Sequence, residues 1–275
     1  MSKVIAIQGE TASFHAIAAE QYFDDDITFV SCQTFAETFA ALRDDKVDFV
    51  LSAIENSLFG SINEVYDLLL KDQFWICGEI YLRIEQCLIG LPDANLKGIK
   101  EVHSHPVALA QCEAYLDKNL PDAERFEHHD TAGSVADVKK WADSSKAAIA
   151  SAAAAEHYGM KVLAHEIETN KQNYTRFVVL SKDKTKDAKA NKTSLILSTD
   201  HTPGALYNAL GAFAKRELNL SKLQSRPIIG KAWHYIFYAD VAASAQSKQF
   251  QAALDELTAQ KCEVTVLGSY VSGEH

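Results

Sequence analysis

Short apolar runs alternate with stretches of helix-forming residues along the first two thirds of the chain. The run Val4-Ile5-Ala6-Ile7 stops at Gly9 and predicts a buried strand over 3–8. Ser13 then precedes an Ala-rich stretch, which predicts a helix over 15–22. A strand over 27–30, a helix over 34–43 begun by a Thr N-cap, and a buried strand over 49–54 follow. The pattern continues with extended chain over 74–91, a helix over 106–116, and extended chain over 123–128. A helix over 131–143, a strand over 147–150, a helix over 151–158 and a return strand over 175–180 complete this part. Such alternation predicts an α/β fold with a mainly parallel sheet.

Residues 182–191 form a charged run without large apolar side chains, which reads as a linker. Beyond it the order changes to strand 192–200, helix 203–218 opened by Pro203, strand 220–228, strand 233–243, helix 247–260 and strand 262–270. That is βαββαβ, the split-βαβ or ferredoxin-like arrangement. Helices are expected on one face of its sheet, leaving edges or the other face for pairing between subunits.

The chain has 275 residues, of which 47% are hydrophobic and 23% charged, enough to bury substantial cores. The net charge of −10 argues against nucleic-acid and anionic-membrane partners, which select basic surfaces. That charge sits almost entirely in residues 1–191, at −11 against +1 for residues 192–275, so two kinds of module are expected. Cys32, Cys77, Cys87, Cys112 and Cys262 form no C-x-x-C pair; neither a disulfide scaffold nor a zinc ribbon is indicated. With no 18-residue apolar run and no signal-peptide pattern before Val4, a cytoplasmic location is expected.

Phosphate-loop, dinucleotide-binding, H-E-x-x-H and G-x-S-x-G motifs are absent from the sequence. His103, His105, His128 and His129 lack partners at ligand spacing and read as surface or core histidines. What remains are polar clusters at strand ends, where open α/β sheets bind ligands. They are Gly9 to His15 (with Ser13), Ala53 to Ser61 (with Glu55, Asn56 and Ser57), and Ser104 to Cys112 (with Gln111). Two more are Asp130 to Ser134 (with Thr131 and Gly133), and Asn173-Tyr174-Thr175-Arg176-Phe177. Several helix starts suited to anions point to a small anionic ligand in a cleft, without naming it.

Taken in order, these clusters resemble the prephenate dehydratase family. Ile54-Glu55-Asn56-Ser57 matches its I-E-N-S, Ser104-His105-Pro106 with Gln111-Cys112 its S-H-P segment, and Thr175-Arg176-Phe177 its T-R-F. Gly204-Ala205-Leu206 and Ser225-Arg226-Pro227 match the two effector motifs of the family's regulatory ACT domain. The chain departs from the usual pattern at Glu10, Ala12, Ala53 and Gln224. Gln224 replaces a carboxylate beside the effector motif, which bears on feedback control more than on catalysis.

The resemblance implies a two-lobed catalytic region over 1–182 of type II periplasmic-binding-protein architecture, its lobes roughly 1–80 with 165–182, and 81–164. A linker over 183–191 and an ACT domain over 192–275 would follow. With no helical chorismate-mutase segment before Lys3, a monofunctional enzyme is expected. The implied reaction is decarboxylating dehydration of prephenate to phenylpyruvate, with no metal or organic cofactor. Thr175, Asn56, Ser104 and Gln111 would be catalytic; Glu55, Ser57, Thr131, Gly133, Ser134, Arg176, Phe177 and Ser13 would bind substrate. Gly204, Ala205, Leu206, Ser225, Arg226 and Pro227 would hold the inhibitor L-phenylalanine across the interface of a homodimer or homotetramer. Arogenate dehydratase and a non-catalytic small-molecule sensor are the alternatives.

Overall fold

The computed structural model describes residues 2–23, 26–228, 230–231 and 233–273; the outer expected domain bounds, 1 and 275, lie outside them. β1 (Lys3–Gln8) runs parallel to β2 (Ile27–Cys32) and to β3 (Phe49–Asn56). The crossovers are α1 (Phe14–Tyr22) and α2 (Phe35–Arg43). Each starts where the sequence predicts, because Ser13 and Thr34 accept the Ala16 and Glu37 backbone N–H groups. Next come β4 (Gly60–Ser61), α3 (Asn63–Asp72) and β5 (Trp75–Arg83); with β11 (Tyr174–Ser181) they complete a sheet of order β2-β1-β3-β11-β5, β4 pairing with β3.

The second lobe contains β6 (Cys87–Gly90), β7 (Glu101–Ser104), α4 (Pro106–Gln111), α5 (Glu113–Asn119) and β8 (Glu124–Glu127). It continues with α6 (Thr131–Trp141), β9 (Lys146–Ala150), α7 (Ala152–Tyr158) and β10 (Lys161–Ala164). Its sheet runs β10-β6-β9-β7-β8. Alternate residues of the central strands feed two cores, Leu88, Ala147 and Ile149 on one side and Cys87, Ile89, Ala148 and Ala150 on the other. Both faces are covered, which explains the unbroken apolar run of β9.

After β11, β12 (Lys192–Ser198), α8 (Ala205–Ala214), β13 (Leu220–Pro227), β14 (Tyr235–Val241), α9 (Lys248–Ala259) and β15 (Glu263–Tyr270) give the expected βαββαβ. The antiparallel sheet has the order β13-β14-β12-β15. Leu195, Leu197, Ala239 and Val241 share a core with Ala209, Phe213, Phe250 and Leu257 of the two helices.

Four local expectations change. The extended stretch over 74–91 is two strands in different sheets, separated at 84–86 where the chain passes between lobes. The helix over 106–116 breaks at Cys112. The helix over 203–218 shortens to Ala205–Ala214, because Gly204 takes φ 84° as its cap and leaves Pro203 outside. Finally, α3, β4, β7 and β10 occupy stretches in which no element is predicted.

The described chain divides into two compact units, one of 2–62 with 81–177, the other of 63–80 with 178–273. The first unit holds the second lobe and most of the first lobe, without residues 63–80 and 178–182. In the second, residues 63–80 join the C-terminal module, although the sequence-based division counts them with the first lobe. Within this unit the Tyr238 hydroxyl donates to the Tyr66 carbonyl at 2.5 Å, and Arg226 forms a two-pronged ion pair with Asp67 (3.0 and 2.5 Å). Lys192 pairs with Glu79 at 2.8 Å, both side chains almost fully buried. Gly268 lets β15 lie against the Ile76 carbonyl, where a Cβ would clash. The sheet face opposite α8 and α9, expected to be free for subunit pairing, is thus partly covered by the chain's own 63–80 segment.

Candidate active site

A cavity of ≈ 510 Å³ opens in the first unit, lined by residues from both lobes. Asn56, Gln111, Thr131, Thr175, Phe177 and Ser13 line it, as the sequence suggests. So do His15, Phe59, His105 and Asp130, which stand in the same clusters without an expected role, and Gln86 and His129, which stand outside them.

The best-defined chemistry is a chain of amides ending on a hydroxyl. Asn56 Oδ1 accepts the backbone N–H groups of Leu58 and Phe59 (3.0 and 3.1 Å), which fixes the amide orientation. Its Nδ2 therefore donates, to Thr175 Oγ1 at 3.0 Å and to Asn173 Oδ1 at 2.8 Å. Gln111 Nε2 donates to the same Asn173 oxygen at 3.4 Å, and Gln86 Nε2 donates to Gln111 Oε1 at 3.1 Å. Thr175 Oγ1 thus accepts from Asn56, leaving its own O–H to donate elsewhere.

Two helix starts border the site, and one of them is already closed by a carboxylate. Ser13 caps α1 and Asp130 caps α6, the latter accepting the Gly133 N–H at 2.9 Å. Gly9, at φ +93°, belongs to the first lobe, and a Cβ there would meet the Asp130 carboxylate at 3.2 Å. A glycine is needed here both for the backbone conformation and for that approach between lobes. His105 Nδ1 accepts the Val107 N–H at 3.2 Å, which leaves the ring proton on Nε2. Burial lowers the His105 pKa, and Asp130 and Glu127 act against that shift.

His15 behaves differently. Its Nε2 accepts the Ala53 N–H at 3.2 Å, its ring packs edge-on against Phe177 at 5.0 Å, and burial lowers its pKa to about 3. It is a neutral wall, not a proton donor. The unfolded chain binds this proton near 6.5 and the folded chain only near 3, so stability falls as pH drops through that window. The slope is about 1.4 kcal/mol per pH unit. His15→Gln is expected to flatten the acid limb of the denaturation midpoint relative to the parent; an unchanged limb would contradict the assignment.

Other selected residues stand outside the cavity wall. Ser104 is fully buried and its hydroxyl donates to the Ile149 carbonyl at 2.6 Å, tying β7 to β9. Ser57 donates to the Gln172 carbonyl and accepts the Tyr174 N–H, both at 2.9 Å. Ser134 donates to the Thr131 carbonyl at 2.6 Å and Gly133 completes the α6 cap. Glu55 does not line the cavity either. Arg176 is buried but absent from the wall, because strand alternation turns Thr175 and Phe177 toward the cavity. Among the described residues lining it, none is Arg or Lys.

The histidines split as well. His105 and His129 line the cavity, whereas His103 stacks on Phe126 at 4.9 Å and neighbours Trp141. Asn173 and Gln86 are the residues whose part in the amide chain the sequence does not reveal. Asn173 stands in a quoted cluster, but Gln86 lies between apolar strands with no motif around it.

In the second unit Ala205 and Leu206 line a cavity of ≈ 580 Å³ with Asp200, His201, Lys231 and His234. Gly204 caps the adjoining helix. Ser225, Arg226 and Pro227 lie on β13 outside it, Arg226 being held by Asp67.

A cleft between two α/β lobes, joined to a chain that ends in a βαββαβ module, defines a two-lobed α/β protein with an appended ferredoxin-like module. A family model described as prephenate dehydratase matches residues 5–185. The bifunctional chorismate mutase/prephenate dehydratase of Aquifex aeolicus is 34% identical over 97% of this chain and 73% of its own length. Arogenate dehydratase 2 of Petunia hybrida is 37% identical over 98% of this chain and 71% of its own. A prephenate dehydratase from Arthrobacter aurescens, solved in complex with L-Phe, superposes with a TM-score of 0.89 at 29% identity, covering 98% of this chain and 89% of that one. The chain belongs to the prephenate dehydratase family.

Proposed function

We propose that this chain converts prephenate to phenylpyruvate, in the biosynthesis of phenylalanine, and that the cavity of the first unit is where it does so. The bond to the ring carboxylate breaks and CO2 leaves; its electron pair makes the ring aromatic as hydroxide departs from the opposite ring carbon. One proton then completes the water. Aromatisation drives the step, so the site's task is to hold two carboxylates and assist the leaving oxygen.

The observation that carries this reading is the donation from Asn56 to Thr175 Oγ1 in the cavity wall. It directs the threonine O–H toward another acceptor, and the leaving hydroxyl is the one this chemistry supplies. Threonine is a weak acid, so its part is a hydrogen bond that strengthens as charge builds on the oxygen. His105, neutral with its proton on Nε2, offers the departing oxygen a further hydrogen bond, and the proton that completes water comes from solvent. The carboxylates are held by the N-terminal end of α1 with the Ser13 and Thr131 hydroxyls, since the Asp130 carboxylate already fills the start of α6. Phe177 and Phe59 pack the ring. Arg176, outside the wall, acts through the fold.

For the second unit the proposed role is an ACT-type effector module for L-phenylalanine, with Ala205 and Leu206 in its cavity and Ser225, Arg226 and Pro227 supplied at a subunit interface. Calorimetry that detects no phenylalanine binding would refute this part alone. Because relatives include arogenate dehydratases, the purified chain should be given prephenate and arogenate side by side. A higher kcat/KM for prephenate is expected; a preference for arogenate would reassign the substrate, and no turnover of either would overturn the enzymatic reading.

A further inference from the structure

The two lobes of the first unit are joined by the segments 84–86 and 165–173. The segments pair with each other: Ile84 N–H donates to the Asn173 carbonyl at 2.7 Å and Ile167 N–H to the Gln86 carbonyl at 2.9 Å. Arg83 adds ion pairs to Glu166 and Glu168. Three metal-binding side chains converge at this crossing. The antiparallel register of β6 and β10 aligns Leu88 with Ala164, so His165 falls opposite Cys87, with Glu85 two residues before it.

Cys87 Sγ lies 3.6 Å from His165 Nδ1, and that nitrogen lies 3.9 Å from Glu85 Oε1. All three ligand atoms fall within 4.8 Å of one another. Zinc–sulfur and zinc–nitrogen bonds of about 2.3 and 2.0–2.1 Å at a tetrahedral angle separate S from N by about 3.6 Å. A thiol–imidazole hydrogen bond alone explains that one distance; the carboxylate on the same nitrogen makes a third donor that such a bond does not need. The Glu85 and His165 side chains are 40% and 63% exposed, which gives an ion a way in and lets Glu85 close its longer gap.

We propose that Glu85, Cys87 and His165 form a binding site for a zinc-type divalent cation that clamps the two segments joining the lobes. A thiolate and an imidazole select zinc or cobalt over magnesium or calcium. The ion leaves a coordination position open to solvent and takes no part in the dehydration. Gln86 stands between two of the ligands and presents its side chain to the cavity, so the clamp fixes the residue that begins the amide chain.

The test is titration of the full metal-free chain with Co2+, followed by Zn2+. One equivalent of Co2+ should give a thiolate-to-cobalt charge-transfer band that Zn2+ abolishes. Cys87→Ser should remove the band, and His165→Ala should weaken binding at least about 10-fold, the lower limit seen for loss of outer-sphere ligand support. His165 is exposed, so its variant stays informative if replacement of the buried Cys87 disturbs folding. A folded wild-type chain with no such band at saturating Co2+, or a band that both variants leave unchanged, would overturn the site. The clamping consequence rests on the proposed dehydratase activity and is read separately. Zn2+ should slow prephenate turnover in the wild type and not in His165→Ala; unchanged turnover with the metal bound would refute the clamp and leave the site.

Discussion

Thr175→Ala is expected to lower kcat for prephenate at least about 100-fold, within the range of a lost acid contribution, with KM changed far less. The hydroxyl lines the cavity, receives a hydrogen bond from Asn56 and retains its own proton to give. Nothing that holds the substrate is removed, so the loss belongs to the transition state. Thr175→Ser keeps the hydroxyl on the same partner and should recover most of the rate. Near-normal turnover by a folded alanine variant, measured as phenylpyruvate release, would remove Thr175 from the reaction.

The largest effect on stability is expected at the ion pair of the second unit. The Glu79 side chain is fully buried and Lys192 nearly so; Glu79 also accepts from the Gly273 N–H at 3.0 Å and the Ser272 hydroxyl at 3.2 Å. Lys192→Met leaves a buried carboxylate without its cation, which costs about 3–5 kcal/mol. That lowers the melting temperature of this unit by on the order of 10 °C. Replacing both partners with apolar residues of similar volume should restore much of the loss, because desolvation consumes most of the pair's attraction. A double variant as unstable as the single one, in thermal or urea unfolding, would show that the pair holds the unit together by its charge.

The parts of the fold legible in the sequence are those set by local pattern. The β1–α1–β2–α2–β3 run and the βαββαβ order follow from apolar spacing and hydroxyl caps. What escaped depends on contacts between distant segments. The break at 84–86 is invisible because apolar residues flank both sides, and only the tertiary fold sends Arg83 and Cys87 to different sheets. The helix Asn63–Asp72 buries Val65, Tyr66 and Leu69, but its company with the C-terminal module rests on Asp67–Arg226 and Tyr66–Tyr238, more than 150 positions apart.

The site divides in the same way. Asn56, Gln111 and Thr175 stand in recognisable tripeptides or segments and do meet in one cavity. Arg176 was chosen for its charge, yet strand alternation fixes its face, and a residue beside Thr175 must point away from it. Ser104 and Ser57 carry hydroxyls that look chemical in sequence and turn out to be satisfied by backbone partners. The histidines lack metal-ligand spacing in the sequence, whereas His105 reaches the cavity as a helix cap.

The acidity of residues 1–191 acquires a definite meaning against this geometry. With no Arg or Lys among the described lining residues, attraction for a dianion falls to the α1 start and to hydroxyls, which act at short range and work against the Asp130 carboxylate in the same wall.

In the proposed reaction Asn56 acts through Thr175. This is tested most directly by a double-mutant cycle on kcat for prephenate with Asn56→Asp, Thr175→Ala and the pair. Asn56→Asp keeps the oxygen that caps Leu58 and Phe59 while removing the N–H groups that reach Thr175. Losses that do not add, the double variant turning over no more slowly than Thr175→Ala alone, are the expected result. Losses that multiply as though the two residues were independent would contradict it.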